Sequence, residues 1–161
     1  MATVKAYLLL GSNLGNRQEN LKKAIDFLTS WCGKVTAQSA LYETEAWGLK
    51  EQPAFINQAI AIEAELPAQP LLSTIKRIEV EIGRSTGVKW GPRLIDIDIL
   101  FYGDTIMNTE PLVIPHPHLH ERRFTLTPLN EIAPDLIHPV LNKAVKALLA
   151  ECPDKSQVVK L

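Results

Sequence analysis

The sequence predicts an α+β fold in which one antiparallel sheet carries two helices and further short helices follow. Three observations point there. Apolar residues switch between strand-like and helix-like spacing in the order strand, helix, strand, strand, helix, strand. Glycine, proline and capping residues punctuate the switches. No repeat, low-complexity tract or Gly/Ser-rich linker divides the 161 residues, so a single domain over residues 1–161 is expected.

Thr3 to Leu10 reads as a short buried strand. Asn16 then opens a helix as N-cap, with Glu19 three residues on as in a capping box. Leu21, Ala24, Ile25, Leu28 and Cys32 form its apolar stripe, and Gly33 is placed to end it. Lys34 to Tyr42 is expected as a second strand. From Phe55 to Leu66 the pattern alternates: Ile56, Ile60, Ile62, Ala64 and Leu66 share one face, with Gln58 as the odd member, while Phe55 and Asn57 take the other. A second helix begins around Pro67 to Pro70 and runs to Gly83, with Leu71, Leu72, Ile75, Ile78 and Ile82 along one side. A loop from Arg84 to Leu94 leads into a strand from Ile95 to Tyr102. This order is the ferredoxin-like βαββαβ core, an antiparallel sheet with helices on one face. The residues beyond Tyr102 add C-terminal helices, among them an amphipathic segment from Lys143 to Glu151.

Composition narrows the function. Hydrophobic residues make up 46% and charged residues 22%, as in ordinary globular proteins. Seventeen Lys and Arg against eighteen Asp and Glu give a net charge of −1, without the broad basic footprint of a nucleic-acid binder. The leucines at positions 8–10 are too short a run for a signal-peptide core or a membrane span. Cys32 and Cys152 have neither metal-ligand spacing nor a disulfide framework, and Cys32 reads as a buried free thiol. A cytoplasmic monomer acting on small molecules is expected, with no nucleic-acid or membrane partner.

The strongest chemical signal runs from Lys89 to Ile99, KWGPRLIDIDI. In a strand, Asp96 and Asp98 point to one face and Ile95, Ile97 and Ile99 to the other. Carboxylates two residues apart lie about 6.5–7 Å from each other along the strand, a spacing that suits shared grip on Mg²⁺. A bare Asp-x-Asp is more often a solubilising strand face. Arg84, Lys89 and Arg93 in the preceding loop favour a polyphosphate, whose charge divides between metal ions and guanidinium groups. Gly83 and Gly87 would let that loop hinge.

Other features are weaker. The run from Gly11 to Asn16, GSNLGN, lacks the lysine and glycine spacing of a phosphate-binding loop and reads as a structural turn between strand and helix. His116, His118 and His120 alternate after Pro115. Zinc is conceivable, but contact between one of these histidines and a phosphate fits better. Arg122 and Arg123 add local positive charge. Phe55 and Asn57 on one strand face suit either a flat heterocycle or ordinary sheet packing.

Several motifs together resemble the hydroxymethyldihydropterin pyrophosphokinases of folate biosynthesis. They are Gly11-Ser12-Asn13-Leu14, Arg77-Ile78-Glu79, Trp90-Gly91-Pro92-Arg93 before Asp96-x-Asp98, Pro115-His116, Arg122-x-Phe124, and Pro128-Leu129-x-Glu131-Ile132-Ala133-Pro134. The match covers about residues 5 to 138, in order. The resemblance implies diphosphate transfer from ATP to 6-hydroxymethyl-7,8-dihydropterin with release of AMP. It implies that Asp96 and Asp98 bind two Mg²⁺, with Asp96 also reaching the pterin. Phe55 and Phe124 would sandwich the pterin, and Asn57, Thr44 and Trp47 would read its edge. Glu79, Lys89, Trp90, Ile99, His116 and Arg122 would line the ATP side. Arg84 and Arg93 would contact the phosphates, in a loop that closes over the ligands. Lys89 stands where arginine is common in the family, and Pro111 and Val113 replace an arginine and a threonine.

Two other classes compete with this reading. A non-catalytic ferredoxin-like module for RNA or another ligand would need paired aromatics on central strands and a basic face. A magnesium nucleotidyltransferase would share the carboxylates but release diphosphate.

Overall fold

Three neighbouring leucines place β1 (Val4–Ser12) in the interior of the sheet. Leu8 and Leu10 point into one apolar layer and Leu9 into another, as expected of a strand covered on both faces. The computed structural model describes residues 2–44, 53–83 and 94–161. Trp47, Arg84, Gly87, Lys89, Trp90 and Arg93 lie outside the described residues.

β1 pairs antiparallel with β4 (Phe55–Ala64) on one side and β5 (Asp96–Tyr102) on the other. The far edge of β4 is shared by β2 (Gly33–Gln38) and β3 (Tyr42–Thr44), and β3 takes up a short final strand, β8 (Val159–Lys160). The order is β5-β1-β4-β3-β8, with β2 also on β4. A separate hairpin is formed by β6 (Met107–Thr109) and β7 (Leu112–Ile114).

The expected single strand from Lys34 to Tyr42 is therefore two. Ser39 causes the break: its Oγ accepts the Ala59 N–H at 3.0 Å, and its carbonyl accepts from Gln58 Nε2 at 2.9 Å. A side chain thus takes a bond that a continuing ladder would have made. It also explains the odd position of Gln58, whose buried amide is satisfied by that carbonyl.

The first face of the sheet carries α1 (Arg17–Trp31) and α2 (Ala68–Gly83). Asn16 is the N-cap of α1, its side chain accepting from Glu19 N at 3.1 Å. Buried Asn20 donates to Ser12 Oγ and to the Leu14 carbonyl, fixing the turn between β1 and α1. Leu71, Ile75, Ile78 and Ile82 of α2 interleave with Leu21, Ala24 and Leu28 of α1 and with the isoleucines of β4 and β5. Gly33 lies just beyond the end of α1, but close approach is what requires it. At φ +149° a Cβ there would stand 2.0 Å from the Glu63 carbonyl oxygen.

The second face also carries helices, where only one covered face was expected. α3 (Arg123–Ile132) and α4 (Val145–Ala150) bury Leu126, Leu129, Val145 and Leu148 against Leu9, Ala59, Leu100 and Phe101. A register shift in the β1–β5 pairing leaves Leu100 unpaired between Ile99 and Phe101. Leu100 and Phe101 consequently both join this second core, while Tyr102 packs on the first. Strict alternation survives only from Asp96 to Ile99. At that end of the sheet the second layer opens into a cavity.

Candidate functional site

The cavity measures about 540 Å³, within the range typical of small-molecule sites. Its floor is the second face of three strands. Gly11 on β1 stands opposite Asn57 on β4 and Asp96 on β5, so amide, glycine and carboxylate form one row. One step along, Leu9 stands opposite Asp98 and Ala59. Period-two geometry explains why Asp96 and Asp98 both reach the cavity while Ile97 is buried in the first core.

Phe55 and Thr44 form one side, at the end of β4 and on β3. The cavity is also lined by Phe124 in the first turn of α3, Arg122 just before it, Glu121 of the 3-10 turn Leu119–Glu121, and His118 just before that turn. The Arg122 guanidinium carbon lies 5.8 Å from the Phe124 ring centroid, a cation–π distance. Thr44 is buried with its Oγ1 unpartnered. Sheet and helix residues thus bring Thr44, Phe55, Asn57, Asp96, Asp98, Arg122 and Phe124 to one cavity.

Three other candidates lie elsewhere. Ile99 is buried in the first core, on the face away from Asp98. Glu79 on α2 accepts the Ile97 N–H at 2.8 Å and pairs with Lys76 at 3.3 Å. It therefore holds the outer edge of β5. His116 does not line the cavity but interacts with groups that do. Burial lowers its pKa from 6.5 and outweighs the upward pull of Asp98, while Arg122 and His118 add to the lowering. Its ring is thus biased towards the neutral form. Nδ1 accepts the His118 N–H at 3.2 Å, which leaves Nε2 as the donor. Among the described residues no group of three or more His, Cys, Asp or Glu is arranged to hold a metal.

Sequence reasoning missed Leu9, Gly11 and Glu121; of the three alternating histidines it is His118 that lines the cavity. Gly11 had a legible signal, because glycine inside a strand marks a close approach. A Cβ at this position would stand 2.7 Å from Asn57 Oδ1. The expected turn is correspondingly shorter, since Gly11 and Ser12 belong to β1.

Fold and site together define a small α+β ligand-binding domain, with aromatic rings and paired carboxylates around one recess. Residues 7–134 match the model of the 7,8-dihydro-6-hydroxymethylpterin-pyrophosphokinase family, and the chain belongs to that family. It is 44% identical over 151 residues to the 2-amino-4-hydroxy-6-hydroxymethyldihydropteridine pyrophosphokinase of Aquifex aeolicus, covering 94% of this chain and 92% of the relative. With the enzyme of the same name from Bacillus subtilis the identity is 42% over 128 residues, 79% of this chain and 77% of the relative. The crystal structure of Plasmodium falciparum HPPK-DHPS A437G superposes with a TM-score of 0.78 at 20% identity, over 92% of this chain and 45% of that one. That likeness speaks to the fold alone.

Proposed function

We propose that this cavity carries out diphosphate transfer from ATP to the hydroxymethyl group of 6-hydroxymethyl-7,8-dihydropterin, releasing AMP. Family membership makes the chain an ATP-dependent diphosphotransferase of folate biosynthesis. The assignment of roles to residues is the proposal. One observation carries it: Asp96 and Asp98 share a recess with Phe55, Phe124 and Asn57, so a flat ring and a charged reacting group can be held side by side.

In this reading Phe55 and Phe124 stack on the pterin, and Asn57, Thr44, Trp47 and Asp96 read its edge. Asp96 and Asp98 fit Mg²⁺, which prefers oxygen ligands, keeps several waters and takes its remaining ligands from substrate phosphates. Two carboxylates therefore suffice as the protein's share, and two ions are proposed. Bound magnesium would neutralise charge on the transferred group. Arg122 and the Nε2–H of His116 are assigned to ATP in this reading, the same role is proposed for Glu79, Lys89, Trp90 and Ile99, and Arg84 and Arg93 would neutralise phosphate charge. The chain's contribution is positioning and charge balance, with the hydroxymethyl oxygen aligned on the β-phosphorus. The ferredoxin-like description belongs to the same reading. The order β5-β1-β4 with β2 and β3 on the far edge, crossed by α1 and α2, supports it. A single domain acting as a cytoplasmic monomer completes the proposal, and among the described residues no helix is long and apolar enough to cross a membrane.

Product analysis tests the chemistry. Incubation with Mg²⁺, ATP and the pterin alcohol should yield AMP and pterin diphosphate in equal amounts. Free diphosphate with an adenylylated pterin would indicate a nucleotidyltransferase instead, and ADP alone would exclude both.

A further inference from the structure

Helix α3 presents Phe124 and Arg122 to the cavity, yet it begins without a cap of its own. Its N-cap position is Arg122, extended at φ −123° and ψ 106°, with no side-chain capping bond. Capping needs an acceptor oxygen, and an arginine side chain has only donors. The Arg122 carbonyl takes the Thr125 N–H at 3.1 Å, but the Arg122 side chain, which faces the cavity, offers nothing to the Arg123 N–H, which needs an acceptor from elsewhere.

Asp154 provides it from 31 residues away. Its Oδ2 accepts the Arg123 N–H at 3.0 Å, and its Oδ1 accepts both the backbone N–H and the hydroxyl of Ser156. The carboxylate is buried, and one oxygen closes a local turn while the other reaches α3. Beyond Ser156 the chain runs to β8, where Val159 and Lys160 pair with Glu43 and Tyr42, and Leu161 N donates to the Leu41 carbonyl at 2.9 Å. Thr44, also in the cavity lining, follows Glu43 directly. This segment lies past residue 134, where the family match ends.

We infer that Asp154 is a positioning residue for the cavity: it caps α3 from the C-terminal segment and so holds Phe124, in the first turn, towards the pterin while leaving Arg122 free to face the cavity. A local acceptor at position 122 could cap the helix only by replacing the cation. The inference rests on the proposed function for what the cavity binds, whereas the cap itself is a statement about α3.

The test compares full-length wild type with Asp154→Ala and Asp154→Asn. Amide hydrogen exchange is measured at Arg123 to Leu126, alongside kcat and the KM for hydroxymethyldihydropterin. Asp154→Ala should speed exchange of the Arg123 amide by about five- to tenfold, the scale of a lost cap. The pterin KM should rise by about three- to tenfold with kcat within about twofold. Asp154→Asn keeps one acceptor oxygen and should fall between the two. Unchanged exchange would overturn the inference, and so would faster exchange with the pterin KM at its wild-type value. If Asp154→Ala does not fold, the same two outcomes are read on Asp154→Asn. Wild-type protein that forms no AMP would sink the proposed function, leaving the exchange comparison to judge the cap.

Discussion

A methyl group on Gly11 would stand 2.7 Å from Asn57 Oδ1, on the floor between that amide and Asp96. Relief would require Asn57 to turn away from the recess, because the strand backbone is fixed by pairing on both sides. Gly11→Ala should therefore weaken pterin binding by about 1–3 kcal/mol, the scale of overpacking a tight site. ATP affinity should change little. Calorimetric titration with each ligand checks this, and equal losses for both would show that the change acts on the fold. Asp98 offers the complementary case. Asp96 and Asp98 put two negative charges on one strand face, and their repulsion does not favour folding. Asp98→Asn keeps the shape and removes one charge, so stability without ligand should hold or rise slightly. Turnover at saturating Mg²⁺ should fall by about 10²–10³, as when a key electrostatic group is lost. Normal melting with near-normal turnover would place the metal elsewhere.

Among the elements, α3 joins the site to the rest of the sheet. Its C-terminal turn carries Glu131, whose carboxylate accepts the Tyr42 hydroxyl at 2.5 Å and the Ala40 N–H at 3.1–3.2 Å. Tyr42 is buried, and burial first, then the bond and charge of Glu131, push its pKa up to about 12. This contact spans the gap between β2 and β3 and sets the distance from α3, with Phe124, to β3, with Thr44. A double-mutant cycle of Glu131→Gln and Tyr42→Phe should give a coupling of about 0.5–1.5 kcal/mol in urea unfolding. Additive losses would mean that the two groups act separately. The β2–β3 gap was not legible in the sequence, because Ser39 ends β2 through a contact with Ala59, twenty residues on. The remaining elements were legible where one face alternates or one stripe repeats, as in β4, α1 and α2. The shared faces of Asp96 with Asp98 and of Phe55 with Asn57 were legible for the same reason, since period two assigns a strand residue its face, and all four line the cavity. Glu121 ends a short 3-10 turn whose direction no local period announces, and the alternation of His116, His118 and His120 does not say which of them reaches the cavity.

At the scale of the whole molecule, two cores on opposite faces of one sheet must be held together, and the second contains a titratable group. His138 is buried against Phe101, with ring centroids 5.6 Å apart. Its Nδ1 accepts the N–H groups of Val140 at 3.2 Å and Leu141 at 3.1 Å, which requires that nitrogen to be unprotonated. Burial lowers its pKa from 6.5, and the neighbouring His120 lowers it further. The folded value lies below the unfolded one, so this contribution is complete above pH 6.5 and is lost as pH falls through the folded value. His116 shifts in the same direction, chiefly through burial, and adds to the decline. Asp154 is also shifted down: burial pushes its pKa up, but the bonds from Ser156 and Arg123 outweigh it. Its contribution therefore declines only below its ordinary 3.8. Between pH 6.5 and 5 the histidines should dominate among these three groups, each contributing at most about 1.4 kcal/mol per pH unit. His138→Asn retains an acceptor for the two amides but does not titrate. It should lower stability modestly at pH 8 and flatten, without abolishing, the loss between pH 6.5 and 5. Urea midpoints for both proteins at pH 8, 6.5, 5.5 and 5 test this. Parallel curves would show that His138 is not a source of acid sensitivity, and a steeper curve for the variant would reverse the assigned sign.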